Sequence, residues 1–563
     1  MSRTIQEEDR NENRVYGRCR SCQGLGVYFN VVEHSYHYLD GRPHEGHDVD
    51  FMADASIAPE NPVQQVTENM TPPKVAQRIT DTGFYYRLRS GGEELGCYSV
   101  EDEENPDLDQ TLASKLGVDV KEILAARLYE TRRSINFDEV ADVLGCTIRH
   151  DQANKLILFA AGCLTFTDED QFNILMSGES AGGKSYTAQE VVSYFPSDAI
   201  RWIGGASPSA FYHDENLGKW DPENHVLRVE LRQKILIFLD QPGYQLMEKL
   251  RPLLSHDRRE LLYKITDKSK RGSLRTKNVV LVGFPTVIFC AAKLSLDEQE
   301  RTRVFILSPE TDQEKLEESI LLRIKHDGDR QTFKHWVDTH PRRRWLKARI
   351  DLIRAANIDQ IIIEDQEAIY KRFLETHSRL APRHQRDVTR ILALIKAHAL
   401  LNWCHRERPQ PNTVVANKED VDAGFMLYNQ IAKSNELGLA PALYAIWDAV
   451  IKPLVQKNET GVLNRTIMAE YHQIYGRFLP NRKLRNEILP ALESCGLILL
   501  EPDPNDRRQK LVTLTLSDTE TGEVKPNNVD KVWGTPQLTD PKSGFLVCPP
   551  HAGYISQKEI RPS

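Results

Sequence analysis

The apolar run 172-FNILM-176 passes directly into 177-SGESAGGKSYTAQEV-191. Gly178, Gly183, Lys184 and Ser185 satisfy G-x-x-x-x-G-K-[ST] between a predicted strand and a predicted helix, the context in which this spacing has a mechanism. Glycines let backbone amides close around the β- and γ-phosphates of a nucleotide, the helix adds its positive end, Lys184 a point charge, and the Ser185 hydroxyl a magnesium ligand. Such a loop requires a strand that delivers it and a helix that leaves it, so the surrounding fold is constrained to be α/β. A second element, 235-ILIFLD-240, is an apolar strand ending in an acid. That places Asp240 as the carboxylate of the magnesium shell.

Next comes Gln241, whose amide cannot take a proton at neutral pH but can orient water by hydrogen bonding. Two explanations stand: a base comes from elsewhere, with Asp257 and Glu260 in 255-SHDRRE-260 as weak candidates, or the glutamine is a deliberate substitution that traps nucleotide.

The 563 residues suggest several domains. With 40% hydrophobic and 27% charged residues and no apolar run of transmembrane length, the composition is that of a globular chain without a membrane anchor. The polar start MSRTIQEEDRNENR and nine scattered cysteines point to the cytoplasm. A net charge of −8 argues against indiscriminate nucleic-acid coating but leaves room for local basic patches.

Patterning divides the chain into a cysteine- and histidine-bearing head (1–53), a linker (54–80) and a small α+β module (81–145) that opens with a hairpin around Ser-Gly-Gly. A three-layer α/β core (146–310), a helical connector (311–456), a closing module (457–516) and a polar tail (517–563) follow. The core strands are expected at 172–176, 233–240, 278–284, 286–292 and 303–308 in a mostly parallel sheet.

The order GESAGGKS, LIFLDQP, 249-KLRPLLSHD-257, 274-LRTKNVVLVGFPTVIFC-290 and 298-EQERTRVFILS-308 resembles the AAA+ helicase module of replication proteins carried by viruses, plasmids and integrated elements. It is similar, more distantly, to minichromosome-maintenance helicases. The resemblance covers roughly residues 146–456. It implies an arginine that reaches the γ-phosphate from the neighbouring subunit, best matched by Arg303 with Arg301 as runner-up, and a lid helix, 386-RDVTRILALIKAHALL-401, with Arg386 or Arg390 as a second sensor. A site completed in this way repeats head to tail and closes as a ring, and the resemblance implies a homo-oligomer of six subunits, a hexamer. Where the family places an asparagine, this chain reads Cys290-Ala-Ala-Lys293.

The stretch 264-KITDKSKRGSLRTK-277 reads as a basic hairpin. In the resembled families such a hairpin enters the ring channel, where Lys268, Lys270, Arg271 and Arg275 would track the backbone of single-stranded DNA without base stacking. Residues 441–516 look like a winged helix, with a helix bearing Arg482, Lys483 and Arg485 and a wing bearing Arg507 and Arg508, similar to the wing of MarR-type regulators. Such a module engages duplex DNA or docks protein.

In the head, Cys19, Cys22, His44 and His47 have the spacing of a closed structural zinc site of ribbon type, with His34 and His37 as alternative ligands.

Together these imply an ATP hydrolase coupled to DNA translocation or unwinding, with Lys184, Asp240, Gln241 and Arg303 at the chemistry, cofactors ATP, Mg2+ and Zn2+, and a primase or other replication partner. An ATP-gated DNA-binding switch without unwinding, and a non-enzymatic winged-helix regulator, are the competing readings.

Overall fold

The structure is a computed structural model. It describes the backbone of five short strands between residues 14 and 50, and residues 72–515 except 180, 206–217, 241, 257, 268–274, 292–297, 378–379, 459, 505 and 507. The described residues up to Leu514 form one compact unit. The expected tail, 517–563, lies outside the described residues.

The head contributes β1 (Arg14–Cys19), β2 (Leu25–Asn30), β3 (Ser35–Tyr38), β4 (Pro43–His44) and β5 (Val49–Asp50), ordered β4-β3-β2-β1-β5. The small module follows as the meander β6 (Val75–Ile79), β7 (Phe84–Leu88) and β8 (Leu95–Tyr98), so the segment expected as linker ends in a strand. Its helices are α1 (Val100–Glu103), α2 (Pro106–Leu116) and α3 (Val120–Arg132). Each start is written locally: Ser99 and Asp102 form a capping box, Asn105 caps ahead of Pro106, and Asp119 caps α3. Val75, Tyr86, Leu112 and Ile123 make a core of their own.

Two further helices, α4 (Phe137–Leu144) and α5 (Gln152–Leu164), lead into the central region. There the chain forms β9 (Asn173–Ser177), α6 (Lys184–Val192), β10 (Ile200–Ile203), β11 (Gly218–Asp221), β12 (Val226–Glu230) and β13 (Ile235–Phe238). It continues through α7 (Tyr244–Leu254), β14 (Glu260–Asp267), β15 (Arg275–Val282), β16 (Thr286–Ala291), α8 (Glu298–Arg301) and β17 (Val304–Leu307). Five of these strands form a wholly parallel sheet ordered β10-β13-β16-β9-β17. Side chains alternate along each strand between two cores: Ile174, Ile237, Ile288 and Phe305 face one, and Leu175, Phe238, Phe289 and Ile306 the other. Burial on both faces is what a parallel sheet between two layers demands.

The expected core strand at 278–284 does not join this sheet. It is β15, in a second, mixed sheet ordered β11-β12-β15-β14. An apolar run reports burial but not which sheet buries it. The expected basic hairpin is present, with β14 and β15 antiparallel from Glu260↔Val282 to Asp267↔Arg275.

After β17 the chain is mainly helical: α9 (Gln313–Gly328), α10 (Arg330–Thr339), α11 (Pro341–Ala355), α12 (Gln366–Thr376), α13 (His384–Leu401), α14 (Lys418–Asn429) and α15 (Ala432–Glu436). A parallel pair of strands, β18 (Gln360–Ile363) and β19 (Thr413–Ala416), interrupts it. Leu346, Leu394 and Phe425 from α11, α13 and α14 share one core with Ile174 of β9, and so do Phe137 and Val140 of α4. These helices are therefore a layer of the central body. The structure groups α4 with that body rather than with the small module.

The closing module takes in the helices from 441 that the winged-helix pattern includes, so its start lies before the division at 457. Leu439, Trp447 and Val450 share a core with Ile467, Leu484 and Val512. It comprises α16 (Pro441–Ile446), a π-turn, α17 (Lys452–Lys457), β20 (Val462–Leu463), α18 (Asn464–Tyr475), α19 (Asn481–Lys483), a second π-turn and α20 (Leu489–Ser494). The chain then forms β21 (Ile498–Pro502) and β22 (Lys510–Leu514), in a sheet ordered β20-β22-β21. Among the described residues no helix is long and apolar enough to cross a membrane.

A buried ionic knot ties the start of α5 to the segment after β17. Asp151, fully buried, pairs with Lys315 and accepts from the Glu310 amide at 2.7 Å, while Asn154 donates to the Ser308 carbonyl at 2.7 Å. Lys315→Met strands a buried carboxylate and is expected to lower stability by about 3–5 kcal/mol. Chemical denaturation checks this, and a loss below about 1 kcal/mol would assign the knot no such role.

Candidate phosphate-binding site

All five strands of the central sheet point their carboxyl ends to one edge, where ligands of open α/β sheets bind. β9 ends there at Ser177 and delivers the loop 178–183. Ala181 and Gly183 have φ of 64° and 89°, a backbone hand that favours glycine at the second position. A Cβ on Gly178 would stand 3.3 Å from Pro309 Cδ, so the segment held by the Asp151 knot also backs the loop. α6 begins at Lys184 with Gly183 as N-cap and no side-chain cap. Its first amides are left for another partner, as an anion site requires.

Lys184 is 8% exposed. Its Nζ donates to the Glu179 carbonyl at 2.6 Å, and burial pulls the ammonium below the usual lysine range. Burial raises the Cys290 thiol, and the Ser185 hydroxyl and Lys184 ammonium act against that rise. Cys290 stands opposite Met176 on β16, between the loop strand and β13. Asp240, two residues beyond β13, is exposed at the same edge. One strand separates it from β9, so two inter-strand spacings, about 10 Å, lie between the two strand tips. Gln241 and Asp257 lie outside the described residues, and Glu260 begins β14 in the mixed sheet.

The arginines gather at the opposite edge. Arg303 donates to Ser255 Oγ at 2.6 Å and to the Gln299 carbonyl at 3.1 Å. Arg386 bonds Thr302, and the buried Arg390 pairs with Asp387 at 3.0 Å and donates to the Val304 carbonyl. Val304 is in register with Asn173, the start of β9. The glycine loop begins beyond the other end of that strand, about 13 Å further on. Arg386 and Arg390 therefore do not converge on the loop of their own chain, and Arg390 ties α13 to β17.

Sequence reading missed what touches the loop instead. Lys483, expected to contact DNA, forms an ion pair with Glu179, and Arg477 donates to the Thr311 carbonyl. No local pattern signals a contact between positions 304 residues apart. Arg482, Arg485 and Arg508 are exposed, and Arg507 lies outside the described residues.

The tip of the basic hairpin, with Lys268, Lys270 and Arg271, also lies outside them, and Arg275 is placed only by its backbone, opposite Asp267. In the head, Cys22, His34 and His47 lie outside the described residues. Cys19 is in register with Val49, while His44 is on β4, three strands away, or about 14 Å along a flat ladder. His37 is on β3, opposite Tyr28.

Comparison with known protein families and with curated proteins finds no match for this chain.

The Lys483 hydrogen bond is the main reason the Glu179 carboxyl lies below the usual glutamate range. A depressed carboxyl pKa means that the contact is fully present above the ordinary glutamate range and is lost as pH falls through the lowered value. Both side chains are partly exposed, 27% and 58%, so a double-mutant cycle with Glu179→Gln and Lys483→Met should give a coupling of about 0–1 kcal/mol. It should be smaller in high salt and vanish in acid, and a coupling that is indifferent to both would refute the pairing.

Proposed function

We propose that the chain is an ATP-driven DNA translocase or helicase, of AAA+ type, that acts as a homo-oligomeric ring in replicating DNA. The observation that carries this reading is the division of the sheet into two edges. The glycine loop, Lys184, Ser185 and Asp240 occupy the carboxyl edge, and Arg303 the start of β17 at the amino edge. One protomer cannot bring Arg303 to its own loop, whereas head-to-tail neighbours can, and such contacts close as a ring.

The residues present fit a nucleoside triphosphate. The uncapped start of α6 and the loop amides receive the β- and γ-phosphates, and the Lys184 ammonium exchanges the Glu179 carbonyl for a phosphate oxygen. Ser185 and Asp240 are the residues that would hold a magnesium ion, which would supply neutralisation of charge on the phosphates. Gln241 directs water by hydrogen bonding, and Arg303 of the next protomer meets the charge that develops on the γ-phosphate.

The β14–β15 hairpin carries its basic tip between two eight-residue strands, a shape suited to tracking single-stranded DNA in a channel. The closing module has the helix and two-strand order of a winged helix, with Arg482, Arg485 and Arg508 free to approach duplex phosphates. The cysteine- and histidine-bearing head would add a further DNA contact. A second reading, an ATP-gated DNA-binding switch, is favoured by the Lys483–Glu179 contact, because it links the DNA-facing helix to the nucleotide loop.

Lys184→Ala and Arg303→Ala should each reduce DNA-stimulated ATP turnover by about a thousandfold or more. Mixing the two inactive proteins should restore part of it, since a protomer with an intact loop then meets a neighbour with an intact arginine. No recovery in mixtures shown to co-assemble sinks the ring reading, and turnover indifferent to single-stranded DNA favours the switch. Gln241→Glu should raise turnover if the glutamine acts as a trap.

A further inference from the structure

A cluster far from the glycine loop in sequence joins three separate segments. Asp81 lies in the turn between β6 and β7, Cys146 just after α4, and His340 immediately before α11. Their ligand atoms all lie within 4.8 Å of one another. Cys146 Sγ is 3.6 Å from His340 Nε2, and His340 Nε2 is 3.8 Å from Asp81 Oδ1. The second separation is too long for a hydrogen bond. Yet His340 is only 4% exposed, its Nδ1 has no hydrogen-bond partner, and its ring meets Trp336 edge-on at 5.6 Å.

The sulfur–nitrogen spacing matches an edge of a tetrahedral zinc site: Zn–S and Zn–N bonds of ordinary length, about 2.3 and 2.05 Å, set sulfur and nitrogen about 3.6 Å apart, and nitrogen and a carboxylate oxygen about 3.4 Å apart. The two edges to Asp81, 3.8 Å from His340 and within 4.8 Å from Cys146, close by movement of the Asp81 side chain, which is 65% exposed on a turn. Asp81 is shared with Arg342 at 3.4 Å, which weakens but does not block its donation. The cluster opens onto a cavity of about 490 Å³ lined also by Asp142, Arg149 and Glu318, so a water can complete the coordination. One sulfur, one imidazole nitrogen and one carboxylate oxygen suit zinc and disfavour magnesium or calcium.

We propose that Asp81, Cys146 and His340 bind a Zn2+ ion that clips the small amino-terminal module to the central body. Two anionic ligands balance the ion's charge. The clip adds to contacts that the two parts already share: Ile79 packs against the core of Val75 and Tyr86 and against that of Phe137 and Leu346, and Trp345 and Arg349 donate to the Glu130 and Thr131 carbonyls of α3. It is independent of the head cysteines and of the nucleotide site.

The test uses the full chain with Cys19→Ser and Cys22→Ser, so that the head contributes no thiolate. Titration with Co2+ should give one bound equivalent and a thiolate-to-cobalt charge-transfer band. Adding Cys146→Ser should abolish the band. Asp81→Asn, at an exposed position that folding does not need, should weaken Co2+ binding about tenfold or more, in the range such ligand-field changes produce, and Zn2+ should protect residues 72–136 from protease in the parent but not in these variants. Absence of the band in the chain that lacks only the head cysteines, or a band that survives Cys146→Ser, overturns the assignment.

Discussion

The structure depends on one central strand being buried on both faces. β9 offers water no side chain: Asn173 to Ser177 are all buried, with Ile174 and Met176 in one core and Leu175 in the other. Apolar burial on both sides fixes its neighbours, because only strands with the same two-faced pattern can pair with it, as β16 and β17 do. A strand pinned this way cannot slip, since a one-residue shift would exchange its two cores. The loop that leaves its carboxyl end is therefore held in place without a contact of its own to any ligand. Pro309 and the Asp151–Lys315 knot hold the flank of that loop from the neighbouring strand.

Parallel strands also give the sheet a direction, and the direction separates functions. The glycine loop and Asp240 lie where strands end, and the arginines of α8 and α13, with Arg303 just before β17, lie where they begin. On the reading proposed above, each edge would supply one half of a site completed between two subunits. The chemistry proposed above follows from that separation more than from any one residue.

The closing module adds a contact of a different kind. The Lys483–Glu179 pair is exposed and weak, so phosphate charge arriving at the loop would compete with it at little energetic cost. Weakness suits a contact that has to form and release. Burial does the opposite for Asp151 and Lys315, which hold their positions whatever occupies the loop.

The sequence alone determined whatever rests on short-range rules. The strand–loop–helix at 172–191 and the antiparallel pairing of β14 with β15 are written in apolar runs and glycines, and the capped helices of the small module in Ser99, Asn105 and Asp119. Tertiary structure decided what depends on which buried surface meets which. It sent β15 to a second sheet, placed α4, α11, α13 and α14 in one layer, and set Arg390 against β17 instead of over the glycine loop. It also brought Asp81, Cys146 and His340 together from three segments. The physical reason is that apolar periodicity marks a face as buried without naming its partner, and a charged side chain at a given position carries no record of the residue, hundreds of positions away, that folding will place beside it.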